Sequence, residues 1–402
     1  MSFDVLVAGA GPAGLSAAFA AAKGGARVAV FERSKEIGYP IHTSGGSWID
    51  ELRKLDIPQR FMSPVRQGVF VSPHERATFT YDEPLSCVLD VRGLYQYLAE
   101  LASQAGAVIF VDSPVTQPFM NGGELAGLRV HQFGHQVTFE ARLVIDASGA
   151  AGFVARRLGL TSGVRRVGVG AEYDLYAPDW PAGKVALLFG SHIAPKGYGW
   201  VFPHTNRRVR VGIGLIRPDT KKSPRHYLET LLAKRTLFSD ELARISRLEL
   251  HTGIIPSEGC VQPTVANHFM ITGDAGGLVS TLLGEGIRFA ISIGRMAGEV
   301  AAEAVREERY DVQFLRKYER SWKKRYGRMF QIGALLNDRL ASYSDDQWDE
   351  KIRALARMEP VLVARILKGD FTYKLLLDLI KTRTHLVSRT FSSGLKSLLK
   401  NA

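Results

Sequence analysis

The chain opens on a short apolar run, Phe3 with Val5-Leu6-Val7-Ala8, whose lack of polar alternation predicts a strand buried on both faces. A glycine-rich turn follows, Gly9-Ala10-Gly11-Pro12-Ala13-Gly14, and Leu15 to Lys23 then reads as an alanine-rich helix. Gly24-Gly25 ends that helix, and Arg27 to Phe31 predicts a second strand closing at Glu32. Apolar runs return around Val108 to Val115 and at Ile271-Thr272. The latter enters a Gly273-Asp274 turn and passes through Leu283-Gly284-Glu285-Gly286-Ile287 into a long helix predicted over Arg288 to Val305. Between these stretches the period changes to two. Val167 to Tyr173, Val185 to Phe189 and Val209 to Ile216 alternate as strands with one buried face do, which predicts an antiparallel sheet. From Glu307 to Ala402 the pattern is helical and rich in Lys and Arg.

The first unit places each glycine where a dinucleotide needs one. Gly9 permits the tight turn, Gly11 lets the backbone approach a pyrophosphate, and Gly14 lets the helix pack against the strand. The phosphates would then meet the free N–H groups of the helix start, that of Ala13 among them, and its positive dipole end. Glu32, at the end of the second strand, can accept hydrogen bonds from ribose hydroxyls. Arg33 could instead signal a ribose phosphate, but Glu32 would repel one, so a free adenosine ribose is expected.

Composition narrows the picture. With 402 residues, 46% of them hydrophobic, the chain can build a substantial core and more than one module. Its two cysteines, Cys87 and Cys260, form no Cys-x-x-Cys pattern and argue against a disulfide framework or a metal site. The net charge of +12 suggests an acidic partner. No nucleic-acid motif is present, so an anionic lipid surface is the better reading, beside the plainer one of a basic solvated exterior. Asp4 interrupts the start, so no signal peptide is expected, and no apolar segment is long enough to span a bilayer. A cytoplasmic protein, soluble or peripheral at a membrane, is the resulting expectation.

The segments at Gly273-Asp274 and Gly284 to Ile287 resemble those of the para-hydroxybenzoate hydroxylase-like FAD flavoproteins. The resemblance implies that the dinucleotide is FAD. It implies that Asp274 binds the ribityl and pyrophosphate region, and that the helix starting near Gly286 and Ile287 points at the flavin pyrimidine edge. Asp90-Val91-Arg92-Gly93-Leu94 is similar to the segment whose arginine lies over the flavin, so Arg92 is carried over as a cofactor residue. Val115, on the strand around Val108 to Val115, would contact the adenine. Where this family usually has Asp-Gly, the chain has Ser148-Gly149, which weakens the case for direct reduction by NAD(P)H.

Within that group the chain most resembles the geranylgeranyl reductases, including the digeranylgeranylglycerophospholipid reductases, over about residues 1 to 305. The telling segment is Lys196-Gly197-Tyr198-Gly199-Trp200-Val201-Phe202-Pro203. In that family a Tyr-x-Trp-x-Phe-Pro stretch floors an apolar tunnel, which makes Tyr198, Trp200, Phe202 and Pro203 candidate substrate residues. Alternation would place the three aromatic rings on one side of a strand, where ordinary core packing is the competing account. Ile37 to Trp48 is similar to the family's loop beside the flavin, with Thr43, Ser44 and Gly46 against the cofactor. Many of these reductases have a cysteine where Thr43 stands. Thr43 cannot act as a thiol, and His42 beside it is a competent acid near neutral pH, or simply a surface histidine.

The resemblance implies an α/β flavoenzyme with a Rossmann-like FAD-binding domain in three pieces, 1–57, 86–163 and 248–306. Residues 58–85 and 164–247 would form an antiparallel β-sheet substrate domain, and 307–402 a helical C-terminal region. It implies reduction of C=C bonds in a polyprenyl chain, carried by a lipid or a prenyl diphosphate. Electrons would come from NAD(P)H or a protein donor such as reduced ferredoxin. Flavin monooxygenase chemistry is the first alternative, then a flavin halogenase or a non-catalytic prenyl carrier. The basic C-terminal segment, with Tyr373 to Leu379 and lysines out to Lys400, would lie on an anionic membrane or form a helical cap.

Overall fold

The computed structural model describes residues 2–234, 237–372 and Leu375. Its first layer is a six-stranded sheet ordered Val265–Ala266, Phe269–Ile271, Leu143–Asp146, Val5–Ala8, Val28–Phe31 and Val108–Phe110. All neighbours run parallel except the Val265–Ala266 edge. Val5–Ala8 and Val28–Phe31 are buried at every position, which is why their sequences show no alternation. An antiparallel meander, Val115–Asn121, Glu124–Gln132 and His135–Glu140, covers one face.

The helices Pro12–Lys23 and Ile287–Glu307 pack on the other face and approach very closely. A Cβ on Gly294 would run into the Ala13 carbonyl, and one on Gly298 into the Ala17 carbonyl. Small residues on both helices therefore set the spacing, and with it the relative position of the two helix starts.

The second sheet has seven strands, ordered Ser246–Pro256, Val167–Tyr176, Arg208–Arg217, Gly197–Pro203, Lys184–Leu188, Gln67–Val71 and Arg76–Thr80. It is antiparallel apart from Lys184–Leu188 against Gln67–Val71, which run parallel because the Gln67–Thr80 hairpin comes from a separate stretch of chain. The strand Ser246–Pro256 pairs along nearly its whole length with Val167–Tyr176. The chain thus returns to the first layer after Pro256, not at residue 248. A small sheet, Gly46–Trp48, Ser86–Leu89 and Met62–Val65, joins the two layers.

The anticipated strand Val108 to Val115 is two strands in two sheets. Val108–Phe110 ends the parallel layer, Asp112 takes a φ of 49°, and Val115 begins the meander. The apolar run is continuous in sequence, but the backbone turns within it.

The helices Val312–Trp322, Arg328–Ala341, Asp345–Leu355 and Pro360–Lys368 complete the described chain. Tyr318 and Trp322 anchor the first of them, donating to the Ile271 carbonyl (2.8 Å) and to Thr264 Oγ1 (3.2 Å). The last two lie over the seven-stranded sheet, where Ile352, Leu362, Val363 and Ile366 join Phe70, Phe79 and Trp200 in one apolar cluster. These helices form a cap. The basic stretch from Tyr373 onward lies outside the described residues, except Leu375, which is buried. No helix among the described residues is long and apolar enough to cross a membrane.

Candidate functional site

One end of the candidate site is built from the first strand–turn–helix. Gly9 has a φ of 104°, and a Cβ there would strike the Ala147 carbonyl, while one on Gly14 would strike the Gly9 carbonyl. A Cβ on Gly11 would meet nothing within 4 Å, so the turn is open where a pyrophosphate would approach. The helix begins at Pro12 with no side-chain cap, and its first N–H groups face that opening. Glu32 stands beside the turn, accepting from the Ala10 amide at 2.9 Å and the Ser34 amide at 2.8 Å. Its neighbour Arg33 is exposed. An open glycine turn, an uncapped helix start and a carboxylate at the strand end fit the ADP half of FAD.

The other end of the candidate site lies at the start of the second long helix. Gly286 precedes Ile287 there, again with no side-chain cap. The Asp274 carboxylate lies about 3.3 Å from where a Gly286 Cβ would stand, and burial pushes its pKa up to about 6. Asp274, Gly286, Ile287, Ala13, Thr43, Ser44 and Gly46 all face one large cavity. Arg210 fixes the Thr43–Gly46 loop by donating to the Ser44 carbonyl at 2.8 Å. The ring of Phe202 packs against Gly46. Ser47 donates to Glu285 at 2.8 Å, and Arg288 donates to the same carboxylate oxygen at 2.9 Å, tying the loop to the helix start.

The cavity has a volume of about 550 Å³, within the roughly 300–1,000 Å³ usual for small-molecule sites. Its floor is one face of the seven-stranded sheet, and its roof comes from the capping helices, with Leu340, Trp348, Ile352 and Leu367 facing inward. Trp348 stacks on Phe189 from the floor, centroids 4.3 Å apart and planes 20° apart. Tyr198, Trp200 and Phe202 follow one another along the floor, with ring centroids 5.8 and 6.4 Å apart. Alternation has put all three rings on the cavity side, while Pro203 ends their strand. Tyr198 donates to the Leu283 carbonyl at 2.5 Å, and burial with Glu285 nearby raises its pKa, so the phenol stays protonated.

His42 also faces the cavity. Its Nδ1 lies 2.8 Å from the Thr252 carbonyl, which assigns the proton there to a donor role and leaves Nε2 as the second proton position. Two carried-over residues lie elsewhere. Arg92 is outside the cavity wall, half exposed, over the Tyr39 ring and paired with Glu36 at 2.5 Å, because the turn of its helix directs it to the Glu36–Tyr39 loop. Val115 sits on the meander and is not part of the cavity wall.

Several wall residues were not singled out from sequence. Glu172 and His251 lie in the floor behind Trp200. Cys87, in register with Ser47, lines the cavity as a neutral thiol; burial first, then Glu285, push its pKa up to about 12. One signal was available in the chain itself: glycines at every second place, Gly168 and Gly170 in one strand and Gly212 and Gly214 in its neighbour, which clear one face of a sheet.

Comparison with known proteins decides the family. Residues 4–163 match the FAD dependent oxidoreductase family and residues 167–254 match the geranylgeranyl reductase catalytic domain. Digeranylgeranylglycerophospholipid reductase 2 of Methanothermobacter thermautotrophicus is 30% identical over 380 residues, 92% of this chain and 97% of that protein. The chain belongs to the geranylgeranyl reductase family. The digeranylgeranylglycerophospholipid reductase of Methanocaldococcus jannaschii is likewise 30% identical, over 92% of this chain and 95% of its own. A geranylgeranyl bacteriochlorophyll reductase-like protein from Thermoplasma acidophilum superimposes with a TM-score of 0.86 at 27% identity, covering 98% of this chain and 99% of its own. The myxobacterial chondrochloren halogenase CndH shares the fold alone, with a TM-score of 0.69 at 19% identity over 98% of this chain and 92% of its own. This member of the reductase family is therefore an FAD-dependent oxidoreductase.

Proposed function

We propose that the protein saturates C=C bonds in a geranylgeranyl or other polyprenyl chain during lipid biosynthesis, the chain being carried by a lipid or a prenyl diphosphate. The observation that carries this reading is the aromatic floor of Tyr198, Trp200 and Phe202, which runs beneath an apolar roof and reaches the helix start at Gly286 and Ile287. An isoprenoid offers almost nothing to hydrogen-bond, so its binding rests on apolar area, at ~25 cal/mol per Å² buried. Rigid rings supply that area with little loss of rotamer freedom. Two further supports are the matched reductase domain and the relatives named for prenyl-lipid reduction.

Reduced FAD, if held in this cradle, would supply hydride to the alkene. Residues of this chain would do the rest. Gly9, Gly11, Ala13 and Gly14 would hold the pyrophosphate, Glu32 the ribose, and Asp274 the ribityl chain, with Arg33 and Val115 bordering the adenine half. Gly286 and Ile287 would present amides to the flavin pyrimidine edge, and Thr43, Ser44 and Gly46 would support the ring. The roof excludes water. His42 is the candidate proton donor, through Nε2, with Thr43 beside it. NAD(P)H or reduced ferredoxin would supply electrons, and the basic exterior would meet the membrane holding the substrate.

The test is to reduce the purified yellow protein without oxygen and add geranylgeranyl diphosphate or a geranylgeranylated lipid. Flavin reoxidation with a gain of two hydrogens per double bond by mass spectrometry is expected. If only oxygen restores the yellow colour, the monooxygenase reading replaces this one.

A further inference from the structure

One row of residues crosses the cavity floor from strand to strand. His251, Glu172, Gly212, Trp200, Leu187 and Phe70 stand directly opposite one another in register and share one face of the sheet. Gly212 has no side chain to fill its place, and the Trp200 indole lies there instead. A Cβ on Gly212 would run into the indole ring, and one on Gly214 would come within 3.2 Å of it. The ring thus lies across a bed of glycines, flat enough to serve as floor.

A bed alone leaves an aromatic ring free to rotate or lift. What pins this one is its edge. Trp200 Nε1 donates to Glu172 Oε2 at 2.8 Å, and the other carboxylate oxygen is 2.9 Å from His251 Nδ1. Glu172 and His251 are each 3% exposed. Such a buried carboxylate is costly unless its oxygens are matched, and here both are. Glu249, on the histidine's own strand, lies 3.2 Å from Nε2 but off the line of donation, and Arg210 adds positive charge from the strand beyond Glu172.

We propose that Glu172 is a positioning residue for the reaction: by holding the Trp200 indole edge, with His251 backing it, Glu172 fixes the plane on which the prenyl chain lies. The inference rests on the prenyl-chain reading above. A chain on a fixed floor presents its double bond at one height and angle to the helix start at Gly286. A loose ring would let the chain slide without any change in cofactor binding.

The test joins a chain-free measurement to kinetics. In wild-type protein without substrate, the Trp200 indole N–H resonance, assigned by its loss in W200F, should lie downfield, exchange slowly, and move with pH as His251 titrates. An indole N–H in the free position that exchanges rapidly with solvent overturns the proposal, and this measurement decides even if the Glu172 variants fail to fold. E172Q keeps an acceptor and should hold that resonance, with KM for geranylgeranyl diphosphate within about threefold of wild type. E172L should lose it and raise KM about tenfold or more, the scale of a lost hydrogen bond to a charged group, with flavin content unchanged. Equal KM values in E172L and wild type overturn the proposal. If wild-type protein reduces no prenyl chain while its Trp200 resonance behaves as described, the function reading fails and only the hold of Glu172 on the Trp200 ring stands.

Discussion

Two glycines in helices, given the same substitution, should respond with opposite signs. Gly294 lies in the helix Ile287–Glu307, and an added Cβ there would collide with the Ala13 carbonyl and sit 3.1 Å from the Ala13 Cα. Both obstacles are backbone, so the only relief is to move one helix away from the other. Overpacking of this kind costs ~1–3 kcal/mol, against the ~0.8–1 kcal/mol that alanine gains over glycine in a helix interior. Gly327 is also helical, but its Cβ would find only Lys323 Cβ, at 3.7 Å. G327A should therefore stabilise by ~0.5–1 kcal/mol, while G294A destabilises by up to ~2 kcal/mol. Urea unfolding followed by circular dichroism reads both, the midpoints moving in opposite directions at equal slope. G294A should also weaken flavin retention on dilution, because Ala13 and Ile287 belong to the two helix starts that would share the cofactor. A G294A protein as stable and as yellow as wild type would refute the claim that helix spacing sets the cradle.

Three further outcomes follow from other parts of the molecule. G11V places its Cβ where the turn is open, so the protein should purify without its yellow colour while matching cofactor-free wild type in thermal stability within a degree or two. W200A should weaken turnover of long prenyl chains at least tenfold with flavin content intact, and loss of flavin would mean the ring is structural. The hold of the helix Asp345–Leu355 on the Ser72–Glu75 turn should depend on pH. His74 is raised above its ordinary 6.5, first by its hydrogen bond to Asp349, so its contribution is full below 6.5 and lost as pH rises through the raised value. Burial of Asp349 works against ionisation, but bonds from Ser72 and from His74 take its carboxyl below the ordinary 3.8, so that contribution is lost only as pH falls through the lowered value. Fluorescence of Trp348 on this helix should stay level from about pH 4 to 6.5 and change on either side, with H74A abolishing the change on the alkaline side.

The parts of the site legible in the chain were those that local geometry dictates. Gly9, Gly11 and Gly14 are spaced by one turn, Glu32 follows at the end of the adjoining strand, and Tyr198, Trp200 and Phe202 share a face because strands alternate. What stayed hidden depends on register between distant segments. Nothing near Glu172 announces that His251 will stand opposite it, since the match is set by antiparallel pairing across a long excursion of chain. Val115 shows the converse: its apolar neighbours continue smoothly, and only the backbone at Asp112 reveals the turn that moves it to another sheet. Arg92 was placed by resemblance, and its partner Glu36 lies on a loop whose path no periodicity predicts.

The capping helices carry a consequence for how the protein is made. Tyr198, Trp200 and Phe202 leave the ribosome well before Asp345–Leu355 and Pro360–Lys368, which supply much of the roof above them. Until those helices arrive, the nascent chain shows the solvent a broad aromatic face. It is for that interval a sticky, half-finished particle of the sort that aggregates or recruits a chaperone. The same aromatic floor thus makes synthesis a race between emergence of the capping helices and capture of the open face.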